Sequence, residues 1–297
     1  MNYEKAVKNI RQELKTYIVK NKIKSLVLGV SGGIDSALCA VLAKPVCDEL
    51  NIPLIGRSLP SNTNSSDENE RAKKIGKLFC TDFKETSIKG AFNKISEIAY
   101  NNHEVFPADY PDGEDLGNQI PNGNIKARIR MILLYDLAGS NHGMVLSTDN
   151  YTEYLLGFWT LHGDVGDYGM IQNLWKTEVY DMADWICRYE LYFHPELSWK
   201  EDFYGSLKEC IKADATDGLG ISNTDLDQIL PDWKGSSRDG YAEVDKLLSL
   251  HLKMIKTDKE SREEYIEKYN DPVLQRYLKT SFKRNNPFNI PRNKIDN

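Results

Sequence analysis

Tyr3, Val7, Ile10, Leu14 and Ile18 recur at three- and four-residue spacing, so the chain opens on an amphipathic helix. The apolar run Leu26–Val30 then stops at Ser31-Gly32-Gly33, the pattern of a short strand buried on both faces. A helix with Leu38, Val41 and Leu42 follows, and Pro45 predicts a kink or an end there. Asn51–Leu59 predicts a second strand, Pro60–Asn69 is polar, and a helix runs through Arg71–Phe79. Asp82–Thr86 is a third short strand candidate. Asn124–Ala138 reads as a helix with Ile125, Ile129, Ile132 and Leu133 on one face, feeding the strand Met144–Ser147. Beyond residue 200 strand signals fade: Asp202–Trp233 is rich in Gly, Asp, Ser and Thr and predicts long loops, and Tyr241–Met254 is again helical. Strands alternating with helical patterns imply βαβ units, hence an α/β fold with a doubly wound, mostly parallel sheet flanked by helices. In such sheets ligands sit at the carboxyl ends of strands, which selects two loops, Ser31–Ser36 and Thr148–Glu153.

Composition narrows the class. The 297 residues carry 38 Lys and Arg against 44 Asp and Glu, a net charge of −6, with 40% hydrophobic residues. That length fits one large domain or two small ones with a sizeable core. The acidic balance argues against broad nucleic-acid binding. Neither a membrane helix nor a signal segment is expected from the hydropathy or the charged N-terminus. Five scattered cysteines without a C-x-x-C pair favour buried thiols over a disulfide framework or a zinc site, and a reducing cytoplasmic setting.

Gly29–Ser36, GVSGGIDS, carries the most chemistry. A strand ending in Ser-Gly-Gly and opening into a helix aims successive backbone N–H groups and a helix N-terminus at an anion. Without more, a glycine pair is only a tight turn. Asp35, however, would repel phosphates unless a divalent cation lay between them, and Ser31 and Ser36 add hydroxyls. The loop lacks the Gly-Lys-Ser/Thr ending of a Walker A motif and is not G-x-G-x-x-G. It resembles the SGGxDS loop of the PP-loop ATP pyrophosphatases, which cleave ATP between the α- and β-phosphates.

Three further segments, GNIKARIRM (Gly123–Met131), STDNYTEYLLGFWTLHGD (Ser147–Asp164) and LWKTEVYDMA (Leu174–Ala183), follow in order. Together with the loop they resemble the ammonia-dependent NAD synthetases, over about residue 20 to Pro287. The resemblance implies an adenine nucleotide alpha hydrolase-like fold, a single domain over residues 1–297, a mobile loop near 202–233 and a C-terminal lid near 279–291. It also implies a cytoplasmic homodimer. ATP would adenylylate the carboxylate of deamido-NAD, and ammonia would then displace AMP to give NAD. Bringing those anions together needs Mg²⁺ and cationic side chains rather than a covalent nucleophile. Only some 20 residues precede the first strand, too few for an appended amidase domain, so free ammonia is the expected donor.

By motif, the resemblance puts Gly29, Val30, Ser31, Gly32, Gly33, Ile34, Asp35, Ser36, Arg57, Thr148, Lys176 and Thr216 on ATP, and Asp35 and Glu153 on Mg²⁺. It puts Arg128, Leu161, Asp164, Asp167, Phe282 and Lys283 against deamido-NAD. Asp164 and Asp167 compete for one acidic position, with Asp167 in better register with Lys176. Leu161 and Phe282 depart from the lysine and histidine that many members carry there, so another cation or backbone donors must serve. Two other readings stay open: a pyrophosphatase acting on a different acceptor, and a nucleotide-binding regulator without turnover. Retention of both Asp35 and Glu153 weighs against the regulator.

Overall fold

The computed structural model describes residues 1–101, 116–190, 200–216, 219–257, 271–291 and 294. Among them five strands form one parallel sheet in the order β3-β2-β1-β4-β5, with β1 Ser25–Gly29, β2 Leu54–Ser58, β3 Asp82–Glu85, β4 Gly143–Ser147 and β5 Tyr168–Gly169. The chain winds outward from β1 through β2 to β3, then crosses back to lay β4 on the other side. That reversal opens a crevice beyond the carboxyl ends of β1 and β4.

Side chains alternate across the sheet, so β1, β2 and β4 each feed two cores. Leu26 and Leu28 of β1, Leu54 and Leu146 face one core together with α2 (Ile34–Leu50), α3 (Ser66–Phe79) and α7 (Lys176–Trp185). Val27, Ile55 and Val145, in register across three strands, face the other. There they meet Phe92 of α4 (Lys89–Asn101) and Ile129, Met131 and Leu134 of α5 (Leu116–Ser140). The opening helix α1 spans Tyr3–Asn21 and buries Val7, Leu14 and Ile18 as the periodicity predicts.

Three elements differ from expectation. Pro45 does not end α2, which continues to Leu50. Pro45 leaves the Val41 carbonyl without its i+4 donor, and the Arg11 guanidinium supplies one at 3.2 Å. In α5 only Ile129 of the apolar four is fully buried, while Ile132 and Leu133 are exposed, because the buried stripe runs through Ala127, Met131, Leu134 and Ala138. The predicted loop Asp202–Trp233 begins instead inside a helix, α8 (Lys200–Lys212), whose Phe203, Leu207 and Cys210 are buried at helical spacing. Irregular chain follows from Ala213 except for a single turn at Asp225–Gln228, and residues 217–218 lie outside the described set. Three more helices complete the description: α6 (Tyr151–Leu156), α9 (Ser237–Thr257) and α10 (Pro272–Lys279), which leads into a turn at Ser281–Asn285. All five cysteines are free thiols, and no described helix is long and apolar enough to cross a membrane.

Candidate active site

The phosphate-type loop keeps its shape through its own hydroxyls. Ser31 and Ser36 hydroxyls lie 3.0 Å apart, the Ser36 hydroxyl donates to the Gly33 carbonyl at 3.1 Å, and Gly33 N–H donates to Ser31 Oγ at 3.2 Å. Gly33 caps α2 without a capping side chain, so the first-turn N–H groups of α2 face the crevice free of a side-chain acceptor. Gly32 has φ +85°, and a Cβ there would strike the Glu68 carbonyl of α3. Only glycine allows the loop and α3 to approach this closely, and Arg71 of α3 fixes the distance by donating to the Gly32 carbonyl at 3.0 Å.

Beside the loop three charged side chains meet. Lys176, the first residue of α7 and 2% exposed, places Nζ 2.5 Å from Asp35 Oδ2 and 2.8 Å from Glu153 Oε1. Asn150 braces the pair: its amide donates to Asp35 Oδ1 at 2.8 Å, and its carbonyl oxygen caps α6 by accepting the Glu153 N–H at 3.0 Å. Burial acts to lower the Lys176 pKa, yet Asp35 and then Glu153 outweigh it and hold the ammonium well above its usual range. Two carboxylates against one ammonium leave a negative excess, and burial followed by Asp35's charge pushes the Glu153 carboxyl up.

These groups line a cavity of about 410 Å³, of the size that takes a small ligand. A second cavity adjoins it, walled by Arg128, Tyr154, His162 and Arg284, and Asp149, Trp159, Met131 and Lys283 line both. Lys283 Nζ donates to the Gly157 and Trp159 carbonyls and stands 5.6 Å over the Trp159 ring. Burial, then the charge of Arg276, lowers its pKa, while Asp164 works the other way. Asp149 is pushed up to about 7 by burial and by the charge of Asp164, although Ser147 donates to it at 2.7 Å. Burial also raises Asp164, which accepts the Thr160 N–H at 2.7 Å.

The residues matched to ATP converge: Gly29, Val30, Ser31, Gly33, Ile34, Asp35, Ser36, Arg57, Thr148, Lys176 and Thr216 all line the first cavity, and Gly32 shapes it from behind. Two of them are held by acids outside the loop and the Lys176 cluster. Arg57 pairs with Asp82 at 2.7 Å, and the Thr216 hydroxyl donates to Glu68. The acceptor set splits. Arg128 and Lys283 line the second cavity and Asp164 the first, but Leu161, Phe282 and Asp167 line neither. Phe282 is 59% exposed, and the Leu161 carbonyl, not its side chain, meets Arg128 at 3.1 Å. Asp167 accepts the Val145 N–H at 2.9 Å and the Tyr135 hydroxyl at 2.8 Å, so it braces β4. The cluster Lys126, Arg128, Arg130 faces three ways: Lys126 donates to the Leu219 carbonyl, Arg128 enters the second cavity and Arg130 the first.

Sequence reasoning placed Asp149 and Asn150 in a selected loop without giving them a role, and missed Trp159 and Tyr180. Asn150 was detectable from its spacing to Glu153, the N-cap to N3 interval of a capping box. Tyr180 had no signal, since a tyrosine on an apolar helix face reads as core. Its buried hydroxyl and the Trp159 indole N–H both lack a protein partner beside the cavity.

The chain matches the family model described as NAD synthase over residues 6–287. It is 34% identical to an NH(3)-dependent NAD(+) synthetase of Finegoldia magna over 62% of this chain and 69% of that one. It is 33% identical to a protein of the same name from Thermoplasma acidophilum over 76% of each. Among solved structures, an NMN synthetase from Francisella tularensis superposes with TM-score 0.70 at 21% identity, covering 98% of this chain and 99% of that one. An NH3-dependent NAD synthetase from Campylobacter jejuni superposes with TM-score 0.61 at 22% identity over 98% and 100%. These two share the fold of the chain.

Proposed function

The chain belongs to the NAD synthase family, and from that premise we propose how its site turns over. The protein is an NAD synthetase, a ligase that forms a C–N bond. In our reading the nicotinate carboxylate of deamido-NAD attacks the α-phosphorus of ATP and pyrophosphate leaves. Ammonia then attacks the acyl carbon, and AMP departs to give NAD. A carboxylate acylates nothing by itself; adenylylation makes one of its oxygens part of an AMP leaving group, so that ammonia can form the amide bond.

The observation that carries this reading is Lys176 between Asp35 and Glu153, at the N-terminus of α2 and at the sheet's switch point. Gly33 and the first turn of α2 would bind phosphate oxygens, with Ser31 and Ser36 adding hydroxyls. Asp35 and Glu153 are hard oxygen donors that already share one cation, the Lys176 ammonium, so the pair fits Mg²⁺. Bound there, Mg²⁺ would neutralise triphosphate charge. Lys176 supplies a second positive charge to the same phosphates, and Lys283 with Arg128 orients the acceptor's carboxylate and phosphates.

A homodimer and a cytoplasmic location belong to the same proposal. Ile132, Leu133 and Tyr135 of α5 form an exposed apolar strip beside Arg128, suited to a second copy of the chain. The test incubates pure protein with ATP, Mg²⁺ and ammonium, and offers deamido-NAD and nicotinate mononucleotide in parallel, since one structural neighbour is an NMN synthetase. NAD, AMP and pyrophosphate are the expected products. Selective use of the mononucleotide would move the acceptor to the smaller nucleotide, and release of ADP and phosphate would overturn adenylylation altogether.

A further inference from the structure

Lys176 is fully desolvated, and a lysine side chain has four rotatable bonds, so something must fix its backbone for Nζ to reach two carboxylates. Its own helix holds the residue before it, with Glu178 accepting the Trp175 N–H at 3.1 Å, but Trp175 offers no side-chain hydrogen bond to the first-turn N–H groups. The missing acceptor comes from another helix. Asp245 of α9 is 6% exposed, and its Oδ2 accepts both the Thr177 N–H at 2.9 Å and the Thr177 hydroxyl at 2.7 Å. Its Oδ1 accepts the Thr152 hydroxyl at 2.5 Å, and Thr152 Oγ1 accepts the N–H of Lys176 itself at 2.9 Å. One turn earlier on α9, the Tyr241 ring lies 5.3 Å from Lys176 Nζ.

We propose that Asp245 is the positioning residue for Lys176: it caps α7 from outside and fixes the lysine's backbone on both sides, so that Nζ is aimed at the phosphate end of the site. A buried carboxylate at a helix N-terminus is stabilised by the first-turn N–H groups and the helix dipole, and each of its oxygens is committed to a residue that borders or binds Lys176. Asp245 lines neither cavity, so it acts on turnover through the backbone it holds beside the site.

This inference rests on the proposed role of Lys176, and a double-mutant cycle separates the two. Asp245→Asn keeps the size but turns one oxygen into a donor that faces another donor. In the full-length protein it should lower kcat/KM for ATP by about 10- to 100-fold, the usual cost of losing a buried orienting partner. In a Lys176→Ala background the same change should cost less than about threefold, because the group it aims is gone. Its effect on Tm should be alike in both backgrounds. Thr177→Val, which removes one hydroxyl and keeps the backbone bond, serves if Asp245→Asn does not fold; it should show the same dependence on Lys176 at smaller amplitude. Equal fold losses in both backgrounds, or no loss in the single variants, would overturn the inference and leave the reading of Lys176 standing. A Lys176→Ala protein as active as the wild type would overturn the reading of the site, and this inference with it.

Discussion

The two halves of the site hold their charges by opposite means. On the phosphate side, Asp35 and Glu153 share the Lys176 ammonium through side-chain contacts at the carboxyl ends of β1 and β4, and each of the three belongs to the first turn of a helix. On the acceptor side, Lys283 and Arg284 donate to the carbonyls of residues 155, 157, 159 and 277. The carboxyls of Asp149 and Asp164 there rest on the Ser147 hydroxyl and the Thr160 N–H. The phosphate side is therefore specified by charge and spacing, and loss of Lys176 would leave both carboxylates without the cation they share. The acceptor side is specified by backbone shape, which many side chains provide.

The largest effect should come from breaking the phosphate side. Asp35→Asn is nearly isosteric, yet it removes half of the carboxylate pair that shares a cation. Turnover at saturating Mg²⁺ should fall by on the order of 10²–10³-fold, with the circular dichroism spectrum unchanged. Turnover within a few-fold of the wild type would deny Asp35 a role with the metal. On the acceptor side the expected loss is smaller. Lys283→Ala removes a charged donor from both cavities and should reduce kcat/KM for deamido-NAD by about 10- to 100-fold. Its tethers are two part-buried backbone carbonyls and, among the described residues, no side-chain partner of the core, so Tm should stay within about 2–4 °C. A fall well beyond that range would mark Lys283 as part of the scaffold.

The same contrast predicts a pH effect on stability. Asp149 is pushed up to about 7, chiefly by burial and by the charge of Asp164. Its folded pKa thus lies above the unfolded value of about 3.9. Protons bound by the folded state stabilise it at low pH, and that contribution is lost as pH rises from about 4 through 7. Asp149→Asn cannot ionise, so its stability relative to the wild type should rise by ~2–4 kcal/mol between pH 4 and pH 8. Thermal melts across that range measure it, and a constant difference between the two proteins would show that Asp149 does not titrate there.

How legible each half was follows from the same physics. The strand β1, the loop and the first turn of α2 were legible because an apolar run, two glycines and an acid have few alternative uses in that order. Glu153 was legible through its motif, and its partner Asn150 lay three residues away in a capping interval. The sheet was legible except for β5, whose two residues carry no pattern. Helix α8 was misread because its buried positions are sparse among polar ones, although Phe203, Leu207 and Cys210 are correctly spaced. On the acceptor side, a cation held by a main-chain carbonyl leaves no trace in side-chain identity, so Leu161 was named for a side chain where its carbonyl meets Arg128 instead.

The smallest expected effect concerns the pair Asp164 and Asp167, which motif register alone ordered in favour of Asp167. In the folded protein Asp167 is a brace. One of its oxygens accepts the Val145 N–H of the interior strand β4, and the other accepts the Tyr135 hydroxyl of α5. It lines neither cavity, whereas Asp164 lines the first. Asp167→Asn retains one acceptor oxygen and misplaces a donor, which costs about 1 kcal/mol of stability by the usual net value of one hydrogen bond. Turnover should stay within about threefold, since no reacting group is touched. Asp164→Asn should do the reverse, with a loss of turnover several times larger. Tm and kcat/KM measured for both variants decide the matter. If Asp167→Asn abolishes turnover while Tm holds, register was the better guide and the second cavity extends to the outer face of β5.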